Sequence, residues 1–216
     1  MSSLAPRAPW RVRLPLLLLR PTLVAELGAA EADAVLAAAA AAIPSLVVAL
    51  PALPPRRVEA ARFLSAVAWL AGVYRALRSH GLPPARAGAL VVAASRAALG
   101  RVPGPFRRVY RWRFFRPRIF QAFSASIFGD GAPGDFQGLR IEGAYGVDYT
   151  GCLIRTWLAG HDLSDFAPWV CILDDVMSDV FGLGLERTGT LAHGASRCDF
   201  RFAPGRPGRP LPPPSP

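Results

Sequence analysis

The residue types best suited to chemistry lie in the last third of the chain, where all three cysteines occur: Cys152, Cys171 and Cys198. Together with His193 and a carboxylate, three thiols could bind a soft metal ion such as zinc. They could equally supply a thiolate nucleophile with an acid or base beside it. A third interpretation is that each thiol is a small buried hydrophobe, the usual position of a free cysteine. Spacing alone favours this third interpretation.

Two acidic residues are spaced to lie close to one of these thiols. Residues 164–181 begin with helix-capping residue types and predict a helix. On such a helix Cys171 and Asp175, four positions apart, share one face. Asp174 lies three positions from Cys171 and neighbours it as well. The pattern therefore predicts a thiol and a carboxylate side by side.

The segment RTGTLAHGASRCDFRF, residues 187–202, concentrates further polar groups. Arg187 could bind a substrate carboxylate through two parallel hydrogen bonds. It could instead form a structural ion pair with one of three aspartates, Asp174, Asp175 or Asp199. Cys198 and Asp199 begin a predicted strand, on which consecutive side chains point to opposite faces.

Signatures of the common enzyme classes are missing from the chain. There is no glycine-rich phosphate loop before a helix, no Gly-x-Ser-x-Gly elbow and no Cys-x-x-Cys pair, and only three histidines occur. The sequence therefore leaves the cofactor, and whether a metal is bound, unknown.

Hydrophobic periodicity predicts an α+β fold with N-terminal helices packed on a small C-terminal antiparallel sheet. We expect an irregular lead over 1–21, a single domain over 22–202 and a disordered Pro-rich tail over 203–216. Pro44 is expected to end or kink the first helix. The predicted helices span 22–43, 56–81, 83–99, 105–128 and 164–181, and the predicted strands span 139–149, 184–194 and 198–202.

The formal charge of +10 is a property of composition rather than a clear sign of a polyanionic partner. Every basic residue is arginine, with no lysine and no asparagine, alongside abundant Ala, Gly and Pro. Residues 105–128 interleave arginines with aromatics, which could form a nucleic-acid or membrane-surface patch. We favour an amphipathic helix whose Arg side chains lie over the core edge with their charged ends in water. Neither nucleic acid nor membrane is expected as a partner, and the oligomeric state stays open.

Several features favour a cytoplasmic location. An odd number of cysteines argues against a disulfide framework and for a reducing compartment. The apolar run LPLLLL near the N-terminus is shorter than a usual signal-peptide core. Residues 34–50 are rich in alanine and interrupted by Pro44, so a buried helix is expected there rather than a membrane span.

Four segments follow one another in the chain: VYRALRSHGLPPARAGALV, YGVDYTGC, CILDD and LERTGTLAHGASRCDFRF. Their order and spacing resemble the L-2-amino-thiazoline-4-carboxylic acid hydrolase family, and the resemblance covers roughly residues 60–202. All three cysteines fall on pattern positions, which the buried-hydrophobe interpretation does not predict. Gly151 departs from the family, which commonly has a basic residue just before the first cysteine. The matched positions are Thr150, Cys152, Cys171, Asp174, Arg187, Thr188, Thr190, Gly194, Cys198, Asp199 and Phe200.

The resemblance implies a hydrolase that opens a small cyclic amidine-type acid, such as L-2-amino-thiazoline-4-carboxylate, to an N-carbamoyl-cysteine. Asp174 is then expected to act as general base or to bind the amidine, and Arg187 to bind the substrate carboxylate. Cys171 or Cys198 would be nucleophile, acid or metal ligand, and further substrate contacts would come from Cys152, Thr188, Thr190 and Asp199. Two alternatives remain: a non-catalytic small-molecule or metal-binding domain of the same fold, and a membrane- or nucleic-acid-associated basic protein.

Overall fold

Six helices precede a four-stranded antiparallel sheet in the computed structural model, which describes residues 10–129, 131–141 and 145–212. The predicted α+β class is confirmed. The described helices are α1 (Trp10–Leu27), α2 (Ala29–Val48), α3 (Val58–Ser79), α4 (Pro84–Gly100), α5 (Gly104–Phe114), α6 (Pro117–Ala125), α7 (Leu153–Ala159) and α8 (Ala167–Phe181). The strands are β1 (Gln137–Ile141), β2 (Gly146–Gly151), β3 (Leu185–Glu186) and β4 (Cys198–Phe202).

The prediction of an irregular lead over 1–21 is wrong for residues 10–21, which belong to α1 although two prolines interrupt it. Leu16, Leu19 and Leu23 of this helix are buried in the main helical core. Burying three leucines outweighs the hydrogen bonds that proline removes from a helix. Residues 1–9 of the predicted lead lie outside the described residues.

Helix α2 also continues past the proline that was expected to end or kink it at residue 44. Ile43 and Leu46, on either side of Pro44, are both buried, so the helix gains core contacts by extending to Val48. Within the part of the chain that the structure describes, α2 alone is long and apolar enough to cross a bilayer. Its buried face packs against α1 and α3, and a side chain at Gly72 of α3 would collide with Ile43.

The single helix predicted over 105–128 is two helices, α5 and α6, separated at Phe115 and Arg116. The cause is Pro117, because the residue before a proline avoids the helical region, and Arg116 is accordingly extended with ψ 120°. Phe114 of α5 is buried, whereas Phe106 and Trp112 are exposed beside the arginines. The prediction of an amphipathic helix whose Arg side chains lie over the core edge therefore fits only part of α5.

The sheet has the strand order β1-β2-β4-β3, with antiparallel neighbours throughout. The alternating segment 139–149 was predicted as one strand, but it contributes to two, β1 and β2, which form a hairpin. Residues 142–144 between them lie outside the described residues. The strand predicted over 184–194 is only Leu185–Glu186, since the chain beyond it turns away from the sheet and forms a 3-10 turn at Leu191–His193.

The described part of the tail, 203–212, has no helix or strand but packs back onto the domain, so the prediction of disorder is wrong there. The Arg209 amide donates to the Leu185 carbonyl at 2.8 Å, and the Leu211 amide donates to Asp175 Oδ2 at 3.1 Å. These bonds satisfy a strand-edge carbonyl and a buried carboxylate that composition alone does not reveal. Residues 213–216 lie outside the described residues.

Candidate active site

A cavity of about 680 Å³ lies between the helices and the sheet. Most of its wall is apolar, and α1, α3 and α5 contribute side chains such as Leu16, Val67 and Phe114. The thiols and the carboxylate in its wall come from β2–α7, α8 and β4 instead. Four of the candidate catalytic and substrate-binding residues line this cavity: Cys152, Cys171, Asp174 and Cys198. Groups separated by up to 46 positions in the chain thus line one cavity.

Arg187 binds the carboxylate of Asp174 through a hydrogen-bonded ion pair. Its Nη1 donates to Asp174 Oδ2 at 3.1 Å, and its Nη2 contacts Asp175 Oδ1 at 2.9 Å and the Cys171 carbonyl oxygen at 2.5 Å. The guanidinium also lies 5.0 Å from the centre of the Phe200 ring. Within the described residues only Oδ2 of Asp174 is hydrogen-bonded, which leaves Oδ1 free to contact a ligand.

The carboxyl group of Asp174 is poised to change its charge near neutral pH. Its side chain is 47% accessible, because it borders the cavity, whereas Arg187 is 0% exposed. Burial in this apolar surrounding raises the pKa of Asp174 to about 6, although the positive charge of Arg187 opposes the rise. Above that pH the group is a carboxylate that can accept a proton or pair with a cation.

The three cysteines are neutral thiols at physiological pH. Burial raises the pKa of Cys152 and of Cys171, and it raises that of Cys198 to about 12. The negative charge of Asp174 acts in the same direction on all three. Cys198 Sγ accepts a hydrogen bond from the Leu191 amide at 3.2 Å, which acts to lower the pKa of Cys198, but burial outweighs it. This setting disfavours a thiolate nucleophile, which needs a lowered pKa.

The positions of these groups do not form a metal site. Over residues 10–129, 131–141 and 145–212, no three His, Cys, Asp or Glu side chains are arranged so that they could hold a metal ion. Among the described residues, Cys171 and Cys198 therefore have no partners with which to bind a metal ion. The alternative of a metal-binding domain gains no support from these residues either.

Three predicted substrate-binding residues lie outside the cavity lining. Asp199 accepts hydrogen bonds from the Thr188 amide at 2.9 Å and the Thr188 hydroxyl at 2.7 Å, and from the Gly189 amide at 3.1 Å. Partial burial alone would raise the pKa of Asp199, but these bonds lower it. Thr190 is fully buried, and its hydroxyl lies 2.8 Å from His193 Nδ1. These residues shape the loop between β3 and β4.

Arg187 likewise does not line the cavity. In this structure its guanidinium therefore has no access to a ligand carboxylate, which its predicted role as a carboxylate clamp requires. Its hydrogen bonds and ion pairs go to two carboxylates and one carbonyl of the protein itself. Of the two interpretations left open by the sequence, the structural ion pair describes what is seen. The ion pair fixes the position of the Asp174 carboxylate.

Tyr149 and Arg155 also line the cavity and carry polar groups, but neither was singled out in the sequence as a site residue. Tyr149 follows Val147 on the same face of β2, and its hydroxyl has no hydrogen-bond partner among the residues that the structure describes. Burial, with Asp174 nearby, raises the pKa of Tyr149, so the phenol stays protonated and can donate. Arg155 on α7 also lines the cavity, and its amide contacts Cys152 Sγ at 3.5 Å. The alternation of β2 could have indicated Tyr149, and the family's basic residue beside the first cysteine could have directed attention to Arg155.

Comparison with known proteins supports the resemblance seen in the sequence. The model of one protein family, described as L-2-amino-thiazoline-4-carboxylic acid hydrolase, matches residues 63–202, more than half of the chain. No curated protein and no solved structure matches the chain. The matched range contains every lining residue that carries a thiol or a charge.

Proposed function

Because the chain belongs to the L-2-amino-thiazoline-4-carboxylic acid hydrolase family, we propose that it hydrolyses a 2-amino-thiazoline-4-carboxylate to an N-carbamoyl-cysteine. Water adds to the ring carbon that joins the two nitrogens to the sulfur, and the bond from that carbon to sulfur breaks. One proton of the water ends on the departing sulfur and the other on the ring nitrogen, and the oxygen becomes the carbonyl of the new urea group. No oxidant, reductant or other co-reactant is consumed.

Asp174 is the group that activates the water in this proposal. Its side chain lines the cavity, its Oδ2 is fixed by Arg187, and its Oδ1 has no hydrogen bond within the described residues, so the carboxylate is both available and oriented. A base with a pKa of about 6 is ionised at neutral pH and still accepts a proton readily. The proton that it takes from water can then pass to the departing ring sulfur.

Arg155 and Tyr149 supply the remaining polar contacts. Arg155 is the single cation of the cavity wall in the described part of the chain, and it can pair with the substrate carboxylate. The family commonly has a basic residue just before the first cysteine, where this chain has Gly151, and in this proposal Arg155 supplies the positive charge instead. The protonated Tyr149 hydroxyl can donate to the oxygen or nitrogen that gains charge as the tetrahedral intermediate forms.

The cysteines act as neutral groups in this mechanism. Their raised pKa values make them poor nucleophiles at pH 7, and their sulfurs form a polarizable wall around the sulfur-containing ring. The three free thiols also favour a reducing location, and we propose the cytoplasm.

The observation that carries this proposal is the half-accessible carboxylate of Asp174 in a cavity shared with three thiols. The test is to incubate the purified full chain with L-2-amino-thiazoline-4-carboxylate and to measure the released thiol with a chromogenic disulfide. Asp174→Asn is expected to lower kcat/KM by at least about 10²-fold, the size of a lost general base. Asp179→Asn, at an exposed position on the same helix, is the matched control. Undiminished turnover by folded Asp174→Asn would refute the assignment, and binding of the acid without thiol release would support the non-catalytic alternative.

A further inference from the structure

We propose that the preferred substrate carries a long hydrocarbon chain on the thiazoline ring, and that the apolar part of the cavity holds this chain. The inference rests on the proposed function for the polar end of the substrate. It goes further in naming an amphipathic substrate class, in place of a small free amino-acid derivative.

The size of the cavity is the first argument. The unsubstituted acid has about nine non-hydrogen atoms, which fill at most about 270 Å³ if each takes the space of one liquid water. The cavity measures about 680 Å³, so more than half of it stays unfilled by that compound. Sites of this volume ordinarily hold larger ligands, whose surface they bury almost completely.

The chemistry of the wall is the second argument. Among the described residues that line the cavity, Asp174 and Arg155 alone are charged, and both belong to the proposed polar end. The wall contributed by α1, α3 and α5 is mainly aliphatic and aromatic, with Leu19, Leu70 and Phe114 as examples. A hydrocarbon chain is the occupant that such a wall stabilises, because it loses contact with water without leaving a buried polar atom unpaired.

The position of the opening is the third argument. Leu18, Phe63 and Tyr110 line the cavity and are also exposed at the surface, so they mark a mouth among α1, α3 and α5. These helices differ from the elements that carry Asp174 and the thiols. A chain attached to a thiazoline at the polar end can therefore extend through the cavity towards this mouth. Its presence would also exclude water from around Asp174 and strengthen the electrostatic interactions there.

The experiment compares thiazoline acids that differ only in an unbranched alkyl group of zero, six or ten carbons. One series carries the group on the exocyclic nitrogen and a second carries it on ring carbon 5. Thiol release gives kcat/KM, and titration calorimetry with Asp174→Asn gives Kd. We expect kcat/KM to rise and Kd to fall about threefold to fourfold for each methylene in at least one series, until the cavity is filled.

Two substitutions that narrow the cavity should reduce the gain in kcat/KM that the alkyl group provides. Ala98→Phe on α4 and Ala66→Phe at the exposed rim on α3 are expected to remove at least about tenfold of the gain for the decyl compound. Both residues lie in the wall proposed for the hydrocarbon chain, so turnover of the decyl compound should fall by a larger factor than turnover of the unsubstituted acid. Ala93→Phe, at an exposed position of α4 outside the lining, is the matched control. Ala66→Phe keeps the test decisive if Ala98→Phe does not fold.

The outcomes separate this inference from the proposed reaction. Turnover of the unsubstituted acid with no gain from either alkyl series would overturn the inference and leave the reaction standing. Chain-length-dependent binding that Ala66→Phe weakens, without any thiol release, would support the amphipathic ligand and overturn the reaction. Absence of both binding and turnover would overturn both.

Discussion

Replacing Arg187 with methionine is expected to destabilise the protein far more than an ordinary salt-bridge mutation. Methionine keeps much of the length of the side chain and removes the charge, which leaves two carboxylates unpaired. Asp175 is 4% exposed and carries most of the cost, whereas Asp174 is half accessible in the cavity and carries less. Breaking a buried pair from one side costs roughly 3–5 kcal/mol, and the partial access of Asp174 places the expected loss near 3 kcal/mol.

The matched control is Arg96→Met, which removes another ion pair to the same helix. Arg96 and Asp179 are 2.9 Å apart, but their side chains are 49% and 42% exposed. Exposed pairs contribute about 0–1 kcal/mol, so this variant should remain close to the parent. The free energies of unfolding are measured by urea titration at pH 8, where both carboxylates are charged.

The pH dependence of the loss gives a second readout. Removal of the cation raises the pKa values of Asp174 and Asp175 further above their unfolded values near 3.9. Groups with raised folded pKa values stabilise the native state below the unfolded pKa, and this stabilisation is lost as pH rises through the folded pKa. The gap between Arg187→Met and the parent should therefore be smaller at pH 5 than at pH 8. A loss at pH 8 no greater than that of Arg96→Met would refute the reasoning.

Three further perturbations test the supports of the site. Arg57 donates to both carboxylate oxygens of Asp135 at 2.6 and 2.7 Å, and its side chain is 4% exposed. Arg57→Ala should therefore lower the free energy of unfolding by about 3–5 kcal/mol. A loss below about 1 kcal/mol would contradict this burial argument. Gly88→Ala should lower the free energy of unfolding by about 1–3 kcal/mol, because the new methyl group would lie 2.4 Å from the Trp169 ring. Urea titration measures this loss. An unchanged midpoint would contradict the prediction, because it would mean that the α4–α8 contact adjusts at little cost. The raised pKa values predict that iodoacetamide at pH 7.5 modifies the three native thiols more slowly than it modifies free cysteine. Denatured protein should react fully. Labelling of the native protein at the rate of free cysteine would mean that a thiolate is present.

Much of the helical framework could be predicted from local patterns. The periodicity and the glycine at its end predicted α3 correctly, since Gly81 has the positive φ of 86° that favours glycine after a helix. The prolines in α1 and α2 were misleading because a local rule competes with burial in the core. Alternation also could not show where the chain reverses between β1 and β2, because both strands of a hairpin have the same period.

The candidate site was predicted in part. Three cysteines and Asp174 were singled out from the order of motifs, and they do line one cavity. The partners of Arg187 could not be predicted, because a guanidinium pairs equally well with a substrate carboxylate and with an aspartate of the protein. The access of Tyr149 and Arg155 to the cavity depends on how β2 and α7 pack, which no local pattern specifies.

The pH dependence of ring opening tests the role of Asp174 most directly. For the parent, kcat/KM should rise about tenfold per pH unit in acid and level off above a midpoint of about 6, because the base acts only when ionised. The low residual rate of Asp174→Asn should lack this acid limb, while Asp179→Asn should keep it. An acid limb that survives unchanged in folded Asp174→Asn would contradict the account.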